Sequence, residues 1–182
     1  MERYIDAATG EILTKKPEHM TQLWGNRLVE KTHPRIVFRG ELDSLIADAL
    51  AVQLTACERG ERAAAADVGQ VIDCLWKIMA AEVRETPLAE EPLFGMEPET
   101  LRRTSQDVKT AFGMEHPTPD CSMGRLCVEL NRLRTRVREA EIAAICALPE
   151  RTDILRAMNR LSSAVYVIFC RQLSGWYETM KE

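Results

Sequence analysis

From Glu41 to Gly175 the chain keeps a helical hydrophobic period, broken only where proline and glycine gather, and this narrows the possible folds more than any other feature. Leu42, Leu45, Ala49, Val52 and Ala56 recur at spacings of three and four and stop at Gly60. Val68, Val71, Leu75 and Met79 mark a second helix over 62–84. The stretch 86–98 carries prolines and a glycine and reads as a loop. A shorter helix is expected over 97–112, ended by GMEHPTPD at 113–120. A long helix over 122–147 stops near Pro149, and Leu155, Met158, Leu161, Val165 and Ile168 form the stripe of a fifth over 152–175. Residues 1–35 are polar and irregular, without strand alternation. The expected fold is all-α: a five-helix up-and-down bundle over 41–176, with an extended segment at 1–40 before it and a short tail at 177–182.

Composition agrees with helix and excludes several classes. The chain is 46% hydrophobic but only 5% aromatic, which supplies a core while disfavouring a sandwich or barrel. A formal net charge of −4 argues against nucleic acid as partner. No apolar run approaches the roughly 20 residues of a membrane span. MERYIDAATGEIL lacks the apolar centre of a signal peptide, so a cytoplasmic location is expected. None of the six cysteines forms a CxxC pair or lies near a histidine. Cys57, Cys74, Cys146 and Cys170 fall in apolar helical pattern and read as small, reduced hydrophobes. His19, His33 and His116 sit near prolines and read as solvated loop residues.

Charge is less evenly spread than its total suggests. Of 18 arginines, half lie between Arg125 and Arg171, where only five acids are found. At 100° per residue Asn131, Arg134, Arg138 and Glu141 share one narrow stripe bordering the apolar stripe of Leu126, Leu130, Leu133 and Val137. Such residues either form ordinary ion pairs three and four apart or wait for a ligand. Arg132 and Arg136 point the other way and are expected in solvent. Asn159 stands in mid-helix, where asparagine is a mediocre helix former. Asp43 is expected in the first turn of the first helix, where an aspartate offsets the dipole. There is no GxxxxGK[ST], GxGxxG or HExxH, so any nucleotide is handled without a P-loop.

Three segments together resemble the cobalamin adenosyltransferase family, and the ethanolamine-utilisation branch most. TQLWGNRLVEKTHPRIVFRGELDSL (21–45) is similar to the family's run ending R-I-x-x-x-G-x-x-D-E-L. LRTRVREAE (133–141) is similar to A-R-T-x-x-R-R-A-E, and MNRLSSAVYV (158–167) to L-N-R-L-S-D-x-L-F. The resemblance implies a five-helix bundle that transfers the 5′-deoxyadenosyl group of ATP to the reduced cobalt of cob(I)alamin, releasing triphosphate. It implies Arg138 and Glu141 on ATP and its Mg²⁺, Glu141 being the one candidate metal contact, and Asn159 in the nucleotide or corrinoid pocket. Thr14, Lys15, Thr21 and Lys31 are implied near the nucleotide, making 1–40 its binding segment. Arg134 is implied both at the nucleotide and in an ion pair with Asp43 across a subunit boundary. Active sites would then lie between subunits of a trimer or dimer. A corrinoid reductase, an adenosylcobalamin-dependent enzyme and a bacterial microcompartment are implied as its surroundings. Phe112 and Met114, at a loop mouth, are candidates for the apolar wall beside the cobalt.

The sequence also departs from the family. TKKPEHMTQL (14–23) lacks the glycines of the phosphate-wrapping loop, although a similar K-K-P occurs in the ethanolamine branch. The first 20 residues hold no cysteine where that branch usually carries a cysteine-rich metal motif, so no structural zinc or iron is expected. Glu139 stands where the family has a second arginine, which would lower ATP affinity. These departures motivate the alternative of a non-catalytic adenosylcobalamin or nucleotide carrier with the same fold.

Overall fold

A computed structural model describes residues 3–179; residues 1–2 and 180–182, the end of the expected tail, lie outside the described residues. The elements run β1 (Tyr4–Asp6), β2 (Ile12–Leu13), β3 (Met20–Trp24), β4 (Arg27–Glu30), α1 (Pro34–Glu58), α2 (Arg62–Arg84), α3 (Pro98–Gln106), α4 (Val108–Phe112), a 3₁₀ turn (Cys121–Met123), α5 (Arg125–Ala147), α6 (Thr152–Leu173) and α7 (Trp176–Thr179).

Four long helices make the body. Each buries one stripe: Leu42, Leu45 and Ala49 on α1, Val68, Val71 and Leu75 on α2, Leu130, Leu133 and Val137 on α5, and Met158, Leu161 and Val165 on α6, in a single core. The order around the bundle is α1, α2, α6, α5, with α3 laid on α6. Neighbours are antiparallel. Arg136 meets Glu41 while Arg132 meets Asp48 across α1 and α5, and Arg171 near the end of α6 meets Asp67 near the start of α2. Gly60, at φ 75°, lets the chain reverse after α1 without steric cost.

α1 begins seven residues before the expected start. Pro34 suits the first helical position, where its missing N–H costs nothing, and the Nδ1 of His33 accepts the Arg35 N–H at 3.2 Å. His33 is therefore a helix cap, and Asp43 lies in the third turn of α1, too far in to serve the dipole. The short helix expected over 97–112 divides at Asp107, whose carboxylate accepts the Thr110 N–H at 3.1 Å and starts α4 anew. Residues 177–179, expected as tail, belong to α7, and Tyr177 is buried with its hydroxyl donating to Asp67 at 2.6 Å.

The segment read as irregular is a small sheet of order β2-β1-β4-β3, with β1 parallel to β4 and the other pairs antiparallel. Its strands have two to five residues, too short for alternation to declare itself. Met20, Leu23, Leu28 and Val29 are buried, and Gly25-Asn26 turns β3 into β4. An arginine–glutamate–arginine cluster fastens this sheet to the bundle. The fully buried Glu82 of α2 accepts Arg35 Nε and Arg39 Nε at 2.5 Å each. Arg39 also donates to the Leu23 carbonyl at 2.9 Å, and the Arg35 guanidinium lies 5.4 Å from the centre of the Trp24 ring.

All six cysteines are free thiols. Cys170 and Cys127 are buried and Cys74 half-buried, whereas Cys57 and Cys146 are exposed, contrary to expectation, because their phase on α1 and α5 turns them away from the core.

Candidate functional site

The stripe predicted to border the core lines the seam between α5 and α6. Asn159 Nδ2 donates to Glu141 Oε1 at 2.9 Å, so the mid-helix amide is used to orient a carboxylate on the neighbouring helix. Arg134 donates from Nε and Nη2 to Asn131 Oδ1 at 3.4 and 3.3 Å, and its guanidinium stands 5.7 Å from the Tyr166 ring centre. Arg138 is exposed and has no hydrogen-bond or ion-pair partner among the described residues. The ordinary pairing of Arg134 and Arg138 with Glu141 does not occur. Two guanidinium groups and one oriented carboxylate therefore face outward, with most of their hydrogen-bonding capacity unused.

Arg132 and Arg136 behave differently: Arg132 is exposed, as expected, but Arg136 is not. Arg136 is only 26% exposed and binds Asp48 and Glu41 of α1, each at 3.2 Å, while Arg132 binds Asp48 at 2.9 Å. Arg136 also holds Glu139. The exposed carboxylate of Glu139 is thus paired with Arg136, which Glu41 and Asp48 also bind.

A second group escaped the sequence reading. His116, in the segment between α4 and the 3₁₀ turn, places Nδ1 2.9 Å from the Tyr166 hydroxyl and Nε2 3.2 Å from the Gln106 carbonyl. A carbonyl can only accept, so Nε2 carries a proton, and Nδ1 is left to share a hydrogen bond with the Tyr166 hydroxyl. The His116 ring stacks on Tyr166, and Tyr166 on Phe169, each at 6.1 Å between centres. Burial pushes the Tyr166 hydroxyl up to about 12 and the Cys170 thiol up to about 11, so neither ionises near neutral pH. Phe112 and Met114, half-buried against the core, lie just before this anchored histidine. Proline-flanked His116 gave no signal of its partner, which is 50 residues away.

The remaining candidates lie on the sheet side. Thr14 and Lys15 are exposed in the bend after β2, Thr21 is half-buried on β3, and Lys31 is exposed in the turn before α1. No hydrogen bond or ion pair joins them to Arg134, Arg138, Glu141 or Asn159 among the described residues. Asp43 is exposed on α1 and does not pair with Arg134 of the same chain. One chain therefore presents two separate sets of candidate residues. Among the described residues no three acidic, cysteine or histidine groups gather into a metal site, and no helix is long and apolar enough to cross a membrane.

Comparison with known proteins places the chain in a family. The sequence profile of the cobalamin adenosyltransferase family matches residues 12–172, from β2 almost to the end of α6. Corrinoid adenosyltransferase EutT of Escherichia coli strain K12 is 35% identical over 176 residues, covering 93% of this chain and 64% of that protein. Its namesake from Salmonella typhimurium strain LT2 is 35% identical over 162 residues, covering 86% and 59%. The chain thus spans somewhat under two thirds of the length of these relatives. No solved structure matches it significantly. Because the match covers well over half of the chain, from β2 through the four long helices, the chain belongs to the cobalamin adenosyltransferase family.

Proposed function

We propose that the protein is an ATP:corrinoid adenosyltransferase, in which reduced cobalt attacks C5′ of ATP and triphosphate leaves. The observation that carries this reading is the unpartnered Arg138 beside a glutamate held by Asn159 on the α5–α6 seam. The chemistry asks for no protein nucleophile. It asks for cations where the leaving triphosphate gathers about four negative charges, which Arg138, Arg134 and the exposed Lys15 and Lys31 supply. Arginine suits phosphate oxygens because its planar fork donates two parallel hydrogen bonds. Glu141 keeps one oxygen without a partner among the described residues, enough to contribute a single contact to a Mg²⁺ that is otherwise bound by phosphates and water. Thr14, next to Lys15 in the chain, and Thr21 on β3 offer hydroxyls for phosphate.

The same reading makes the active site intersubunit. No hydrogen bond or ion pair joins the two sets among the described residues of one chain, and Asp43 and Arg134, unpaired with each other there, meet across the boundary of a trimer or dimer. A reductase supplies the cobalt electrons and an adenosylcobalamin-dependent enzyme uses the product. Resemblance to the EutT proteins supports ethanolamine utilisation as the setting, with the cytoplasm or a bacterial microcompartment as the location.

The test is an anaerobic absorbance assay with chemically reduced cobalamin, ATP and Mg²⁺. Formation of a light-sensitive alkylcobalt spectrum is expected. Arg138→Ala should lower the rate at least about 100-fold while far-UV circular dichroism is unchanged. A bound corrinoid spectrum without product would replace the enzyme by a carrier, and a near-wild-type rate in Arg138→Ala would refute the site assignment.

A further inference from the structure

On the opposite side of α6 from the Glu141–Asn159 contact, a cavity of about 160 Å³ lies between α2, α6, the start of α3 and the segment 88–93. Most of its wall is apolar, formed by Leu88, Leu93, Leu101 and Ala157, and Arg160 enters it from α6. Arg160 Nη1 is fully buried without a hydrogen-bond partner, and no other atom of this guanidinium is paired with a described residue. The other charges at the rim are spoken for: Lys77 holds Glu91, and Arg156 lies 3.6 Å from Glu90. Asp73, also at the rim, is exposed to water.

A half-buried guanidinium with no acceptor among the described residues is costly, and the cavity that Arg160 lines is large enough to hold one. We propose that this cavity is a binding site for a small aliphatic monocarboxylate, its carboxylate on Arg160 and its hydrocarbon body against Leu88, Leu93, Leu101 and Ala157. The size follows from volume, since an apolar protein cavity of about 150 Å³ accommodates benzene, a molecule of six non-hydrogen atoms. Butyrate has the same number. Inorganic phosphate would satisfy Arg160 but leave its remaining oxygens against hydrocarbon, so the apolar wall selects the carboxylate. The site is separate from the nucleotide face: Asn159 and Arg160 are adjacent in sequence but about 100° apart around α6.

The experiment is calorimetric titration of the full chain with butyrate, alongside butyramide and inorganic phosphate. Butyrate is expected to bind saturably with a Kd of about 1 mM or tighter, within the range open to so small a ligand. Butyramide, the neutral isostere, should bind at least about tenfold more weakly, and so should butyrate to Arg160→Gln. Ala157→Leu, which fills the cavity without touching charge, should abolish binding and keeps the test decisive where Arg160→Gln fails to fold. Absence of saturation by about 20 mM butyrate overturns the proposal. So does equal binding of butyramide, or an affinity unchanged in Ala157→Leu. Tighter binding of phosphate than of butyrate overturns it in favour of an anion site without a hydrocarbon pocket.

Discussion

The Arg35–Glu82–Arg39 cluster gives the sharpest prediction about stability, because one carboxylate there answers two cations. Glu82 is inaccessible to solvent and accepts three side-chain hydrogen bonds, from Arg35 Nε at 2.5 Å and from Arg39 Nε and Nη2 at 2.5 and 3.3 Å. The guanidinium side chains are only 14% and 15% exposed, so removing the carboxylate leaves two charges that water reaches poorly. Three charge-assisted bonds at about 1.5–3 kcal/mol each set an upper limit near 9 kcal/mol. Arg35 retains Glu85 and Arg39 retains the Leu23 carbonyl, which brings the loss toward the roughly 3–5 kcal/mol typical of breaking a buried pair. Glu82→Ala is therefore expected to lower the urea-derived unfolding free energy by about 4 kcal/mol and Tm by roughly 10 °C. The triple variant Arg35→Met, Glu82→Met, Arg39→Met should recover most of the loss, since apolar residues of similar volume need no counter-charge. A loss under about 1 kcal/mol in Glu82→Ala would show that water reaches the cluster freely and would refute the reasoning. Because Arg39 also holds the β3 carbonyl, the variant should speed hydrogen exchange in residues 20–30 before it unfolds the bundle.

Other consequences can be checked as directly. Asp43→Arg and Arg134→Asp should each weaken self-association in sedimentation, and the double swap should restore it; failure of restoration would remove the intersubunit pair. Hydrogen bonding from Arg151, with a further bond from the Leu88 N–H, holds the Asp153 carboxyl well below the usual carboxylate range. Its folded value is depressed, so its stabilising effect is complete above the unfolded value near 4 and fades as pH falls. The stability gap between wild type and Asp153→Asn, by urea titration, should therefore narrow below about pH 4. At pH 8 a thiol reagent followed by mass spectrometry should label the exposed Cys121 while Cys74 and Cys170, both pushed up to about 11 by burial, remain unmodified until the chain unfolds.

How much of this could be read from the residues differs by element for physical reasons. The four long helices were legible because each repeats its apolar stripe over five or more turns, and no other structure has that period. The start of α1 was not. Its apolar period is counted only from Glu41, but the helix begins earlier and passes through Gly40, with Phe38 completely buried before the glycine. The sheet was hidden by short strands, yet Gly25-Asn26 between two apolar runs is a hairpin signal that composition alone drowned. Of the candidate site, Arg134, Arg138 and Glu141 showed themselves as polar groups on a stripe of one helix adjoining the core, and Asn159 as an asparagine in mid-helix, each visible in one segment. The anchor of His116 on Tyr166 is a property of fold, and nothing local encodes it.

The four arginines of α5 show where local reading ends. Helical phase divides Arg134 and Arg138 from Arg132 and Arg136 but does not say what either pair meets. Those neighbours differ: Asp48 and Glu41 on α1 neutralise Arg132 and Arg136, whereas α6 offers Arg134 an aromatic face and offers Arg138 nothing. The acids of α1 do more than bind two helices together. By consuming the positive charge on one side of α5 they leave the remaining charge on the other side alone, so that an anion approaching the bundle finds cations concentrated at the α5–α6 seam instead of spread around the helix. Moving Asp48 or Glu41 would therefore change the field at the seam without touching a residue in it, which is why the site has to be understood from the packing of three helices and cannot be assigned from the motif on one.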